Sequence, residues 1–276
     1  MTGALSDSAS LFDLTGRIAL VTGGATGIGA MAARGLAGAG ARVMIASRRG
    51  AACEAAARAL NEAGAIDAEG FEGDVSTEEG VAALADTVAA RTEHLDILIN
   101  NAGRSWGAPL RRHPFDAFEK VMALNVAGLF SLTQALLPLL TRAATDERPA
   151  RVVNIGSVMG EVPLGDDVYS YSASKAAVHH LTKILAKELA PQRITVNALA
   201  PGPFVSKMTA FAIADEGNRE KVGADVPLGR VGVPDDIAAA ILFLCGAGGS
   251  YVTGAILPLS GGINVMTGPP IFGAAS

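Results

Sequence analysis

The sequence predicts a single-domain α/β fold, a doubly wound parallel sheet with helices on both faces, and three observations predict it. Short apolar, β-branched runs alternate with longer stretches of helical spacing, the order that βαβ units require. The apolar runs are nearly continuous rather than alternating, as in strands buried on both faces. The first run leads directly into a glycine-rich turn followed by a helical stretch.

Strands are expected at residues 17–22, 41–46, 95–100, 151–157 and 194–199, with another ending near Asp74. Helical spacing covers residues 30–38, 51–63 and 81–91. Ser76-Thr77-Glu78-Glu79 reads as a capping box that opens the third of these helices. No repeat or low-complexity linker divides the chain. Residues 1–10 read as a flexible polar lead-in, residues 11–265 as one domain and residues 266–276, with Pro269 and Pro270, as a surface tail.

Composition excludes several classes. Of 276 residues, 50% are hydrophobic and 18% charged, which is too apolar for a disordered chain. The net charge of -5 argues against a nucleic-acid partner held by counterion release. Two cysteines, Cys53 and Cys245, are too few for a disulfide framework and fit a reducing, cytoplasmic location. The densest apolar runs, near residues 121–124 and 237–245, fall short of about 18 consecutive apolar residues, so no membrane span is expected. The four histidines form no metal-ligand spacing, and no metal is expected.

The first expected strand runs into Gly23-Gly24-Ala25-Thr26-Gly27-Ile28-Gly29. Glycines there let the backbone turn tightly and approach a pyrophosphate at a helix N-terminus, which makes the fold Rossmann-like and the ligand a dinucleotide. The second strand ends in Ser47-Arg48-Arg49, with no carboxylate for a ribose 2′-hydroxyl. Arg48 can face a 2′-phosphate as a planar donor fork, with Ser47 adding a hydroxyl, so NADP is expected rather than NAD.

Tyr171 and Lys175 are four residues apart and share one face of a helix. An adjacent ammonium favours the phenolate and is expected to lower the tyrosine pKa. Tyr169 lies on another face. Ser157 follows the strand at 151–155, at the carboxyl edge where ligands of such sheets bind. His179 and His180 are expected on an exposed or interface face of the same helix.

These pieces stand in the order found in the short-chain dehydrogenase/reductase family, which the chain resembles from about Leu14 to Ile263. They are Thr22-Gly23-x-x-x-Gly27-x-Gly29, Asp74-Val75, Asn100-Asn101-Ala102-Gly103, Asn125, Ser157, Tyr171-x-x-x-Lys175, Asn197 and Pro201-Gly202. The resemblance implies a seven-stranded sheet and a catalytic set of Ser157, Tyr171, Lys175 and Asn125, the last bending its helix and holding a relay water to Lys175. It implies that Asp74 and Val75 touch the adenine, that Asn101, Ala102 and Gly103 line the cofactor cleft, and that Pro201, Gly202 and Phe204 meet the nicotinamide. Two positions depart from the family pattern: Thr26 stands where many NADP-using relatives carry a basic residue, and Ser260 where an aspartate is frequent.

The implied reaction transfers a hydride between NADPH and a ketone, with Tyr171 as general acid, Ser157 orienting the carbonyl oxygen and Lys175 tuning the tyrosine. Trp106, Met159, Val162 and Met208, with a flap near residues 203–225, are expected to wall the substrate. Strings such as Asn101-Ala102-Gly103-Arg104-Ser105-Trp106 resemble the 3-oxoacyl reductases of the family, making a 3-oxoacyl thioester or similar hydrophobic ketone the leading substrate. Sugar, polyol or steroid oxidoreduction is the alternative, and a non-catalytic dinucleotide sensor the minor one. Helices near 114–141 and 168–189 are apolar around much of their circumference; family resemblance pairs such helices across two-fold axes, which implies a homotetramer.

Overall fold

The computed structural model describes residues 7–206, 209 and 215–266. Seven strands form one sheet: β1 (Ile18–Thr22), β2 (Arg42–Ser47), β3 (Glu69–Glu72), β4 (Ile97–Asn100), β5 (Ala150–Ile155), β6 (Ile194–Pro201) and β7 (Ile256–Leu259). Their order is β3-β2-β1-β4-β5-β6-β7, and every pairing is parallel. The order reverses between β1 and β4, so the crevice for a ligand opens at their carboxyl ends.

The helices are α1 (Gly27–Gly38), α2 (Gly50–Glu62), α3 (Glu78–Ala89), α4 (Phe115–Met122), α5 (Leu129–Ala143), α6 (Tyr169–Leu189), α7 (Glu216–Ala224) and α8 (Pro234–Cys245). Successive strand residues point to opposite faces, and both faces are apolar. Val21, Ile45 and Ile99 meet Leu36 of α1, Cys53 of α2 and Ile241 of α8. Leu20, Leu98 and Val152 meet Leu84 of α3, Leu132 and Leu136 of α5 and Leu185 of α6. Burying each such leucine contributes about 1.5–3 kcal/mol. The α1–α8 contact is close: a Cβ at Gly35 would lie 2.9 Å from that of Ala238.

Three local expectations shift. The strand expected over 151–157 stops at Ile155, because the Gly156 N–H turns to the Leu199 carbonyl and Ser157 caps a 3-10 turn. The capping box does not form around Ser76. The Asp74 carboxylate takes the Ser76 N–H at 2.9 Å, and Thr77 becomes the cap, accepting from the Gly80 N–H. The helical stretch Phe115–Ala143 is long and apolar enough to cross a membrane by length and composition, contrary to the reading of the short apolar runs. Its Leu124, Leu129, Leu132, Leu136 and Leu140 are buried, so that apolarity serves the core on the sheet. The stretch is continuous because a π-helical turn, Ala123–Gly128, joins α4 to α5. Gly128 sits in it against the Val75 carbonyl, which a Cβ would meet at 1.9 Å.

Candidate active site

A cleft of about 590 Å³ opens at the carboxyl ends of β1, β2, β4, β5 and β6. Its floor begins at the glycine loop. Gly23 and Gly27 have φ of +65° and +58°, the left-handed region that glycine enters without steric cost. Thr26 is the N-cap of α1, and its hydroxyl makes no cap bond, so the first N–H groups of α1 face the cleft as an anion-binding terminus. Gly29 lies beneath: a Cβ there would come within 2.4 Å of Asn101 Nδ2 and 2.5 Å of the Gly23 carbonyl.

Asn101 fastens this loop to β4. Its Nδ2 donates to the carbonyls of Thr22 and Gly23, and its N–H donates to Thr22 Oγ1. Gly23, Thr26, Gly27, Ile28, Asp74, Val75, Asn101, Ala102, Gly103, Pro201, Gly202 and Phe204, all expected at the cofactor, line the cleft, and Gly29 supports it from below. At the far end stand Ser47 and Arg48. Among the described residues Arg48 makes no ion pair or hydrogen bond. The Ser47 hydroxyl is already engaged, accepting the Arg49 N–H at 3.2 Å and touching Cys53 Sγ at 3.0 Å. This donor set fits a dinucleotide carrying a 2′-phosphate: a glycine cradle that side chains would fill, a helix terminus and an unpaired guanidinium.

Ser157, Tyr171 and Lys175 converge at the other end. Tyr171 and Lys175 share the inner face of α6, and Lys175 Nζ lies 5.6 Å from the Tyr171 ring centroid. Tyr171 is hydrogen-bonded with Ser157. The Ser157 Oγ also accepts the Met159 N–H at 3.2 Å, which leaves its own proton free to donate. Lys175 is 6% exposed and donates from Nζ to the Ile155 carbonyl at 2.6 Å. Burial lowers its pKa to about 8.

Burial also pushes the Tyr171 phenol above its ordinary value of 10.0, with the Ser157 hydrogen bond opposing. The expectation that Lys175 pulls this pKa down is therefore corrected. Desolvation of the phenolate is the largest cause, while the ammonium sits 5.6 Å from the ring centroid and spends a hydrogen bond on the Ile155 carbonyl.

Asn125 does not line the cleft. It is buried in the π turn, accepting the Arg104 N–H and donating to the Arg104 carbonyl and Ser174 Oγ. It thus ties the loop after Gly103 to α6. The expected substrate wall is only partly assembled. Trp106 is 41% exposed, and Met159 and Val162 pack with Val158, Val226 and Ile263 in a small cluster beside Ser157 rather than in the cleft. Met208 lies outside the described residues. Ser206 and Thr209, inside the segment expected as a flap, line the cleft but were not singled out as site residues; their polar side chains just after Pro201-Gly202 were the available signal.

His180 is exposed, as expected, but His179 is not. It is buried at 6%, with Nε2 3.4 Å from the Ser157 N–H and Nδ1 3.6 Å from Glu161 Oε1. Its place four residues beyond Lys175 continues the Tyr171–Lys175 stripe, a spacing that could have found it.

The short chain dehydrogenase family signature matches residues 17–217. A Pseudomonas aeruginosa rhamnolipids biosynthesis 3-oxoacyl-[acyl-carrier-protein] reductase is 48% identical over 92% of this chain and 98% of its own. A galactitol 2-dehydrogenase (L-tagatose-forming) from Cereibacter sphaeroides is 38% identical over 94% of this chain and 99% of its own. The solved Pseudomonas aeruginosa RhlG/NADP active-site complex superposes with a TM-score of 0.89 at 48% identity, covering 92% of this chain and 99% of that one. With the parallel sheet, the glycine loop and the Tyr171–Lys175 helix in place, the chain belongs to the short chain dehydrogenase family.

Proposed function

We propose that this protein is an NADP(H)-dependent ketoreductase whose substrate is a 3-oxoacyl thioester or a similar hydrophobic ketone. The observation that carries the reaction class is the convergence of Ser157, Tyr171 and Lys175 at one end of the dinucleotide cleft. The glycine loop, Asp74, Val75, Asn101 and Arg48 would hold the cofactor, which when bound supplies the hydride for the carbonyl carbon. Tyr171 gives its phenolic proton to the carbonyl oxygen. Its raised pKa keeps that proton in place at neutral pH. Ser157 donates a hydrogen bond to the same oxygen and orients it. Lys175, held by the Ile155 carbonyl, places a positive charge over the Tyr171 ring and steadies the phenolate left after transfer. In the reverse direction Tyr171 takes the proton and an alcohol is oxidised. Asn125 supports the site by bracing α6 through Ser174.

The 48% identical relative acts on 3-oxoacyl-[acyl-carrier-protein], which favours an acyl thioester over a polyol. The galactitol 2-dehydrogenase keeps sugar alcohols as the second reading. Loss of NADPH absorbance with a panel of 3-oxoacyl thioesters, diketones and sugars separates them. Turnover confined to sugars would overturn the thioester assignment, and NADPH binding without turnover would mark a sensor.

Residues 11–265 are proposed to act as one catalytic domain with a flap near 203–225, where Phe204 bridges to Gly232. Phe115, Phe118 and Phe130 on α4 and α5, and Tyr169 and Ile184 on α6, are exposed apolar side chains that support a homotetramer. The two buried free thiols, Cys53 and Cys245, support a cytoplasmic location.

A further inference from the structure

We propose that His179 is a positioning residue for Ser157: from behind the β5–α6 loop its Nε2 accepts the Ser157 backbone N–H and fixes where the serine hydroxyl points. The inference rests on the role given above to Ser157.

Four observations carry it. His179 lies one helical turn past Lys175 on the buried face of α6 and is 6% exposed. Its ring is fitted against the loop at two glycines. A Cβ at Gly156 would lie 2.2 Å from Nε2, and one at Gly160 would lie 3.0 Å from Cε1. Ser157 N–H points at Nε2 across 3.4 Å, a long hydrogen bond but the only partner this N–H has among the described residues. An accepting Nε2 requires the proton on Nδ1, the nitrogen turned toward Glu161 Oε1 at 3.6 Å.

Acceptance also requires a neutral ring. Burial, with the charges of Lys175 and Lys183 nearby, lowers the His179 pKa to about 4. Two lysines on its own helix and one carboxylate from the loop are the charged groups facing it, and the ring stays neutral through the physiological range. The Glu161 contact is therefore an orienting one and not a salt bridge. With its N–H turned to His179 and its Oγ accepting the Met159 N–H, Ser157 is held from two sides and its hydroxyl proton stays available to donate.

The test is a set of variants assayed at saturating NADPH with acetoacetyl-coenzyme A, alone and in a Ser157→Ala background. His179→Leu removes the acceptor at similar volume. His179→Asn ends at the Nδ1 position and also lacks it, and His179→Gln reaches the Nε2 position and restores it. Leu and Asn are expected to lower kcat about tenfold, the size of losing one hydrogen bond, with KM for NADPH changed less than about twofold, and Gln to recover most of the loss. In the Ser157→Ala background His179→Leu should change kcat by less than about twofold. Wild-type kcat in both His179→Leu and His179→Asn overturns the proposal. So does an equal loss in both backgrounds, which would mark packing alone. Near-wild-type activity of Ser157→Ala overturns the role of Ser157 itself and takes the inference with it, a result distinct from the other two.

Discussion

Lys175 donates a 2.6 Å hydrogen bond to the carbonyl of Ile155, the last residue of β5. The bond ties the second turn of α6 to the strand that delivers Ser157. It also means that the ammonium reaches the tyrosine through the space above its ring and not by direct contact with its oxygen.

That burial gives Lys175 a pH signature. Its pKa in the folded protein, about 8, lies below its ordinary 10.5. Between those values the unfolded chain binds more protons at this site than the folded one, so its contribution to stability rises with pH. Below about pH 8 the buried ammonium is a standing cost. Lys175→Met is therefore expected to melt higher than wild type at pH 7, with the difference shrinking from pH 8 to 10.5, while activity is lost throughout. Thermal melts across that range check it; a constant difference would contradict the burial argument.

Tyr171→Phe keeps the ring and removes only the proton donor. Turnover should fall by about 10²–10⁴, the usual worth of general acid–base catalysis, with NADPH binding little changed. Tyr169, 40% exposed and edge-on to His113 at 5.9 Å, is the control. Tyr169→Phe should stay near wild type. Single-turnover rates and fluorescence titrations separate the two effects.

Arg48 stands at the cleft without an ionic partner among the described residues. NADPH should bind at least about tenfold tighter than NADH, a difference of about 1.4 kcal/mol. Arg48→Asp should move the preference toward NADH. Titration of both cofactors decides it, and tighter NADH binding by the wild type would reverse the assignment.

The exposed aromatic side chains of α4 and α5 should be covered in solution. Light scattering at micromolar concentration is expected to give four chains, and Phe115→Glu to weaken the assembly. A stable wild-type monomer would remove the tetramer.

Five strands were readable because β1, β2, β4, β5 and β6 are apolar on both faces and need no partner to be recognised. β3 was read only by its end near Asp74, two residues past its observed last residue, Glu72. β7 was not, being four partly exposed residues that include Pro258, which an edge position tolerates. The cofactor half of the site was equally readable, since backbone conformation and local spacing define it. The substrate half was not. Whether Met159 faces a ligand or packs on Val226 and Ile263 depends on segments far away in sequence. The π turn at Asn125 leaves no mark in hydrophobic spacing, and the pKa of Tyr171 turns on how much water burial removes, which local sequence does not encode.

The reversal of strand order has a consequence for how the chain assembles. β1 pairs with β2 early in sequence but with β4 only across the intervening βαβ unit, and the Arg17–Asp96 ion pair and Asn101–Thr22 hydrogen bonds close that seam over separations of 79 residues. Loop closure of this length must precede the contacts that reward it, which slows folding. The dinucleotide cleft straddles this same seam and does not exist until it closes. A bound cofactor would tie the first strand to the fourth, so the stability of the closed seam rises with cofactor concentration by mass action.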